Sequence, residues 1–133
     1  MLKLKYRLAI IVLVTIALGF GCSTINPFIK EDFNRFYSQF HSDSTFQLSR
    51  IHFPIEGMII DGFGERPWSK ENWTLLTIPV FEVDTTRFEV DFIKGEKTFT
   101  QKSWIENSGF AAEYRFELRK RKWNLVYALE QNL

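Results

Sequence analysis

From Thr86 onward the period of the apolar residues changes to two, and this limits the fold more than any other feature. Phe88, Val90 and Phe92 interleave with Glu89, Asp91 and Ile93; Lys94-Gly95-Glu96-Lys97 supplies a turn, and residues 98–105 return from it. Tyr114, Phe116 and Leu118 interleave with Arg115, Glu117 and Arg119, and Trp123, Leu125, Tyr127 and Leu129 follow a basic turn. A pleated strand sends successive side chains to opposite faces, so two antiparallel hairpins are predicted.

The first part of the chain has a different period. Ile29, Phe33, Phe36, Tyr37 and Phe40 make one apolar stripe at helical spacing, with Asn26-Pro27 suited to the start and Glu31 and Asp32 to the dipole. A helix is therefore predicted over 28–40. Asp43 is placed to cap a short turn through 45–48. An extended run over 51–60 follows, in which Pro54 marks an edge or a bulge. Residues 61–67 read as a loop, 69–72 as a turn, and 73–78 as a strand ended by Pro79. No internal repeat appears. The expectation is an α+β domain, one N-terminal helix packed on a curved antiparallel sheet of about five or six strands.

Ahead of this domain stand Lys3, Lys5 and Arg7, then an uncharged run of fourteen residues, 8–21. These are the n-region and h-region of an export signal, and the run is short of the roughly 20 apolar residues that span a bilayer. It ends in Leu18-Gly-Phe-Gly21-Cys22-Ser23, which resembles a lipobox, with Gly19 standing where Leu is usual and Phe20 where a smaller residue is usual. A thiolate is the side-chain nucleophile most readily alkylated near neutral pH, and a small residue before it leaves the bond open to a peptidase. The chain thus divides into a signal peptide at 1–21, a lipidated N-terminus and linker at 22–27, and a single domain at 28–133. An ordinary signal peptide and an uncleaved anchor are the alternatives. By analogy with sorting rules, Ser23 points to the outer membrane, and the lack of an acidic run after Cys22 points to its periplasmic side.

Cys22 is the only cysteine, so no disulfide stabilises the domain. The frequent aromatic residues, each burying 150–250 Å² as a typical figure, provide the material of a core instead. Without residues 1–21 the net charge falls from +1 to −2, which gives no clustered basic face of the kind nucleic acid needs.

The spacing Phe33, Phe36, Phe40, Asp43, Phe46-Gln47, Arg50-Ile51, Phe53-Pro54 resembles a family of small exported proteins from Gram-negative anaerobes, domain of unknown function 4348. Trp123-Asn-Leu125-Val126 is similar to the closing strand of nuclear-transport-factor-2-like lipoproteins. The resemblance implies a cone in which the sheet curls around the helix and can leave a pocket. It brings no catalytic residue.

Few constellations carry chemistry. Gly62-Phe-Gly64-Glu-Arg-Pro67 follows a strand as a dinucleotide fingerprint would, but Pro67 stands where the third glycine belongs. His41 and His52 are the only histidines, too few for a structural zinc site, and no cofactor is expected. The pairs Glu82 with Asp84 and Glu89 with Asp91 lack an EF-hand loop around them. A general base needs only one carboxylate or histidine in a dry pocket, and the candidates are His52, Glu56, Asp61 and, if its face turns inward, Asp91. The run Arg119-Lys120-Arg121-Lys122 is either a solvated hairpin tip or a contact for acidic envelope polymers and lipid phosphates. The leading expectation is a non-catalytic lipoprotein, held on the membrane through lipid on Cys22, that binds a small apolar ligand or an envelope protein. An acid/base enzyme in the same cone and a structural accessory are the other readings.

Overall fold

The computed structural model describes Asn26 and residues 28–133. The residues read as an export signal, 1–21, and the expected lipid attachment at Cys22 lie outside the described residues. No helix among the described residues is long and apolar enough to cross a membrane.

Two short helices open the domain, α1 at Phe33–Ser42 and α2 at Ser44–Ser49. The predicted helix starts five residues later than expected, because Asp32 and not Asn26 caps it, its side chain accepting from Arg35 N at 2.9 Å. Asn26 closes only a turn onto Phe28. Glu31 sits ahead of the cap, where it holds Arg50 at 2.7 and 2.8 Å and the Trp123 backbone N–H at 2.7 Å. Asp43 ends α1 and caps α2, accepting from Phe46 N at 3.0 Å as its position suggested.

Six strands follow: β1 at Ile51–Asp61, β2 at Gly64–Arg66, β3 at Glu89–Lys94, β4 at Thr98–Trp104, β5 at Phe110–Arg119 and β6 at Lys122–Asn132. They form one sheet in the order β2-β1-β6-β5-β4-β3, antiparallel except where β1 lies parallel to β6. Pro54 falls inside the break in register between Ile51 and Glu56, where its missing N–H takes nothing from the ladder. Its peptide bond to Phe53 is cis.

Three expectations change. Residues 64–66, read as loop, pair back on β1 as β2. Residues 73–78, read as a strand, are irregular and lead through Pro79 into a turn of 3-10 helix at Val80–Glu82. Tyr127 and Leu129 do not continue the buried set of Trp123 and Leu125. Val126 is an extra residue between Leu125, opposite Phe116, and Tyr127, opposite Arg115. That bulge moves Ala128 to the buried face and Tyr127 and Leu129 to the other.

The inner face is filled. Phe33, Phe36, Tyr37 and Phe40 of α1 pack on Phe99, Phe116, Trp123 and Leu125 of the sheet, every one at most 6% exposed. Most of their rings meet edge-on or tilted, as in Phe33 with Trp123 at 4.9 Å and Phe40 with Phe116 at 5.2 Å between centroids, while Phe33 stacks on Tyr37 and Phe36 on Trp123. Such pairs add about 0.5–1.5 kcal/mol each beyond the area they bury. This is how a domain without disulfides and with two short helices holds together. Trp68 extends the core across β6, its Nε1 donating to Ala128 O at 2.9 Å.

Candidate functional site

The carboxylates and histidine singled out along the strands do not converge. His52 and Glu56 are exposed and share an open groove of about 850 Å³ with Arg50, Arg119, Lys120 and Lys122. Asp61 lies at the far end of β1, bound to Arg66 at 2.7 and 2.9 Å and accepting from Phe63 N. These bonds hold its carboxyl down at about 2, which suits an ion pair and not a base. Asp91 is exposed on edge strand β3, opposite Lys102. Asp84 accepts from Thr86 N and Oγ1, an Asx turn and not a ligand pair with Glu82. Among the described residues no group of three metal-ligating side chains forms.

A different place concentrates polar groups. Tyr37 and His41 stand one turn apart on the buried stripe of α1, and the segment 77–82 runs alongside. The Tyr37 hydroxyl donates to Gln101 Oε1 at 2.5 Å and accepts from Val80 N at 3.0 Å, tying helix, strand β4 and the 3-10 turn together. Burial pushes its pKa well above the usual phenol value, so it stays a neutral donor. His41 Nδ1 lies 2.8 Å from Tyr37 O. A carbonyl only accepts, so Nδ1 carries the hydrogen. Burial, against smaller opposing pulls from the Tyr37 carbonyl and Glu82, lowers the His41 pKa and favours the neutral ring. Nε2 is then a bare acceptor. Among the described residues it is the one buried side-chain N or O atom without a hydrogen-bond partner.

Tyr37 and His41 line a groove of about 360 Å³ between α1 and the 77–82 segment, together with the polar Asn34, Ser38 and Thr77 and the apolar Pro79 and Phe81. An aromatic ledge adjoins it. Phe81 is 58% exposed and Phe92 is 47% exposed, with ring centroids 4.9 Å apart, and Ile78 is exposed close by in sequence. Phe92 belongs to β3, whose outer edge no strand among the described residues pairs. Among the described residues one more tyrosine is buried, Tyr114, and its hydroxyl donates to a Glu130 carboxylate oxygen.

Sequence reasoning took Tyr37 as core, weighed His41 only as a zinc ligand, and drew its candidate bases, His52, Glu56, Asp61 and Asp91, from the strands. The signal was the four-residue step from Tyr37 to His41, which places His41 on the apolar stripe of the helix. Gln101 carries no such signal, since only the pairing of β4 with β5 brings it under the helix.

No curated protein matches the chain. Several solved structures from Bacteroides do. A protein of Bacteroides uniformis, solved by NMR, is 25% identical with a TM-score of 0.57, over 74% of this chain and 76% of that one. A cystatin-like protein of Bacteroides caccae is 23% identical with a TM-score of 0.58, over 75% and 76%. A nuclear-transport-factor-2-like protein of Bacteroides fragilis is 18% identical with a TM-score of 0.53, over 78% of this chain and 48% of that one. The fold is thus α+β, short helices on a six-stranded sheet, shared with cystatin-like and nuclear-transport-factor-2-like proteins. A protein-family model whose description reads only "-like" matches residues 31–132, and the chain belongs to the family that this model describes.

Proposed function

We propose that this chain is a non-catalytic binding module of the cell envelope, cut before Cys22, held by lipid on that cysteine at the periplasmic side of the outer membrane, and folded as one domain over 28–133. The spacing from Phe33 to Pro54 supports its membership of domain of unknown function 4348 within the wider family. Binding takes place outside the cone, in the groove beside α1, and the partner is an envelope protein or small ligand that brings an N–H or O–H donor together with apolar surface. The unpartnered acceptor His41 Nε2, beside the exposed ledge of Phe81 and Phe92, carries this reading. An unmade hydrogen bond in a buried place is costly, and a donor seated in the groove would complete it. The aromatic filling of the inner face supports an outside site over an internal ligand.

A neutral histidine in a groove also suits a general base, which gives a second reading. Against it, a backbone carbonyl and not a carboxylate orients Nδ1.

A photo-crosslinking amino acid at Phe81, compared with one at Phe63 on the β1–β2 turn, tests the site in the native host. Phe63 is 93% exposed and remote from the groove, so it reports chance encounters. One recurrent adduct of defined mass is expected at position 81 alone, and it disappears when Thr77→Trp fills the groove. Equal adducts at both positions, or an adduct indifferent to Thr77→Trp, would count against the groove.

A further inference from the structure

Three segments far apart in sequence meet at one end of the domain. Lys30 Nζ donates to Glu96 O in the β3–β4 turn at 3.1 Å. Lys97 O in the same turn accepts from Leu118 N at 2.8 Å. Arg121 O at the β5–β6 tip accepts from Glu31 N at 3.0 Å, and its guanidinium lies over the Phe28 ring. The segments 28–32, 94–97 and 117–122 together hold seven cations against four carboxylates, two of which are already engaged, Glu31 by Arg50 and Glu117 by Arg119. The rest of the chain after Cys22 holds seven cations against twelve carboxylates, so the molecule is electrically polarised along its strands. At the other end, residues 61–66 and 105–110 carry Asp61, Glu65 and Glu106 against Arg66 alone.

We propose that this basic end is a docking surface for the anionic headgroups of the membrane in which the N-terminus is anchored. The proposal rests on the anchoring read above and adds the face that the domain turns to the bilayer. Cys22 precedes Phe28 by six residues, a tether of at most about 20 Å, so whatever holds Cys22 lies near this end. Phe28 and Ile29 are 79% and 68% exposed beside the cations, and apolar side chains among lysines and arginines are the composition that settles into a headgroup layer. Each cation close to an anionic leaflet strengthens association about fivefold. The hairpin apex adds an independent sign. Lys120 and Arg121 have φ of +47° and +67°, both left-handed, in a two-residue turn where Asn-Gly is the usual pair. Two long cations thus stand at the apex where the backbone disfavours them, and both bring charge to it.

The full chain, made with its own signal and reconstituted into vesicles, is labelled with an amine reagent. Anchoring is read separately, by intact mass. In vesicles of phosphatidylglycerol and phosphatidylcholine, labelling of Lys97, Lys120 and Lys122 is expected to fall at least about fivefold relative to detergent, the worth of one cation contact. Lys70 and Lys102 stay unchanged, and high salt or pure phosphatidylcholine restores the tip. The double variant Lys120→Asn with Arg121→Gly unfolds at a higher temperature yet leaves Lys122 open to the reagent, which separates loss of contact from loss of fold. Tip lysines that label as freely as Lys70 in anchored protein would overturn the proposal. Should the mass carry no acyl chains, the anchor reading fails, and salt-dependent flotation with anionic vesicles then decides: flotation upholds the surface, its absence overturns it.

Discussion

Gln47→Leu should lower unfolding stability by about 3–5 kcal/mol, even though leucine nearly matches glutamine in size. Gln47 is 1% exposed, and its amide uses every bond it can make. Nε2 donates to Phe40 O and to Leu76 O, both at 2.7 Å. Oε1 accepts from Trp73 Nε1 at 3.0 Å and from Leu76 N at 2.9 Å. One side chain thus fastens the end of α1 and the irregular segment 73–78 to the core. Leucine leaves four polar groups without this partner, at roughly 1–3 kcal/mol for each that water cannot reach. Against a typical domain stability of about 5–15 kcal/mol, that loss brings the fold close to its limit. Urea unfolding gives the magnitude, and hydrogen exchange should show residues 73–78 opening first. A loss below about 1 kcal/mol would mean that this segment does not hang on Gln47.

Gly57→Ala is expected to be comparably damaging, at about 3 kcal/mol or more. A Cβ built on Gly57 would lie 1.9 Å from Ala128 O and 2.6 Å from Ala128 C, backbone atoms that cannot swing away. Its φ of +102° is one that side-chain-bearing residues rarely adopt. Relief requires β1 to part from β6, and with it the Ala128 carbonyl that accepts from Trp68. Gly62→Ala is the matched control, since nothing lies within 4 Å of its Cβ, and it should change stability by less than about 0.5 kcal/mol. Equal thermal midpoints for the two variants would contradict the close approach of β1 and β6.

These two residues mark where the sequence was legible and where it was not. The hairpins were legible, because period two is imposed by the pleat itself wherever one face is buried, as at Phe99, Gln101, Tyr114 and Phe116. The α1 stripe was legible for the same reason at helical period. What escaped was decided by partners distant in sequence. Trp73-Thr-Leu-Leu-Thr-Ile78 has the composition of a strand, yet its polar groups are taken up by Gln47 and no strand edge receives it. At the helix start Asp32, read only as a partner of the helix dipole, turned out to be the cap, and the Arg50 guanidinium with the Trp123 N–H drew Glu31 out of the first turn. The Val126 bulge leaves no glycine as a trace, so the turn outward of Tyr127 and Leu129 could not be read. The candidate site was half legible, with His41 on a visible stripe and Gln101 and Val80 supplied by tertiary pairing.

If a domain with a filled inner face binds on its outside, a native mass spectrum of the protein released gently from host membranes should show it. The expected spectrum is a polypeptide beginning at Cys22 and carrying acyl chains, with any further bound mass lost in Thr77→Trp. A small molecule retained equally in wild type and Thr77→Trp would contradict it, since the ligand would then sit within the aromatic core and not in the groove beside α1.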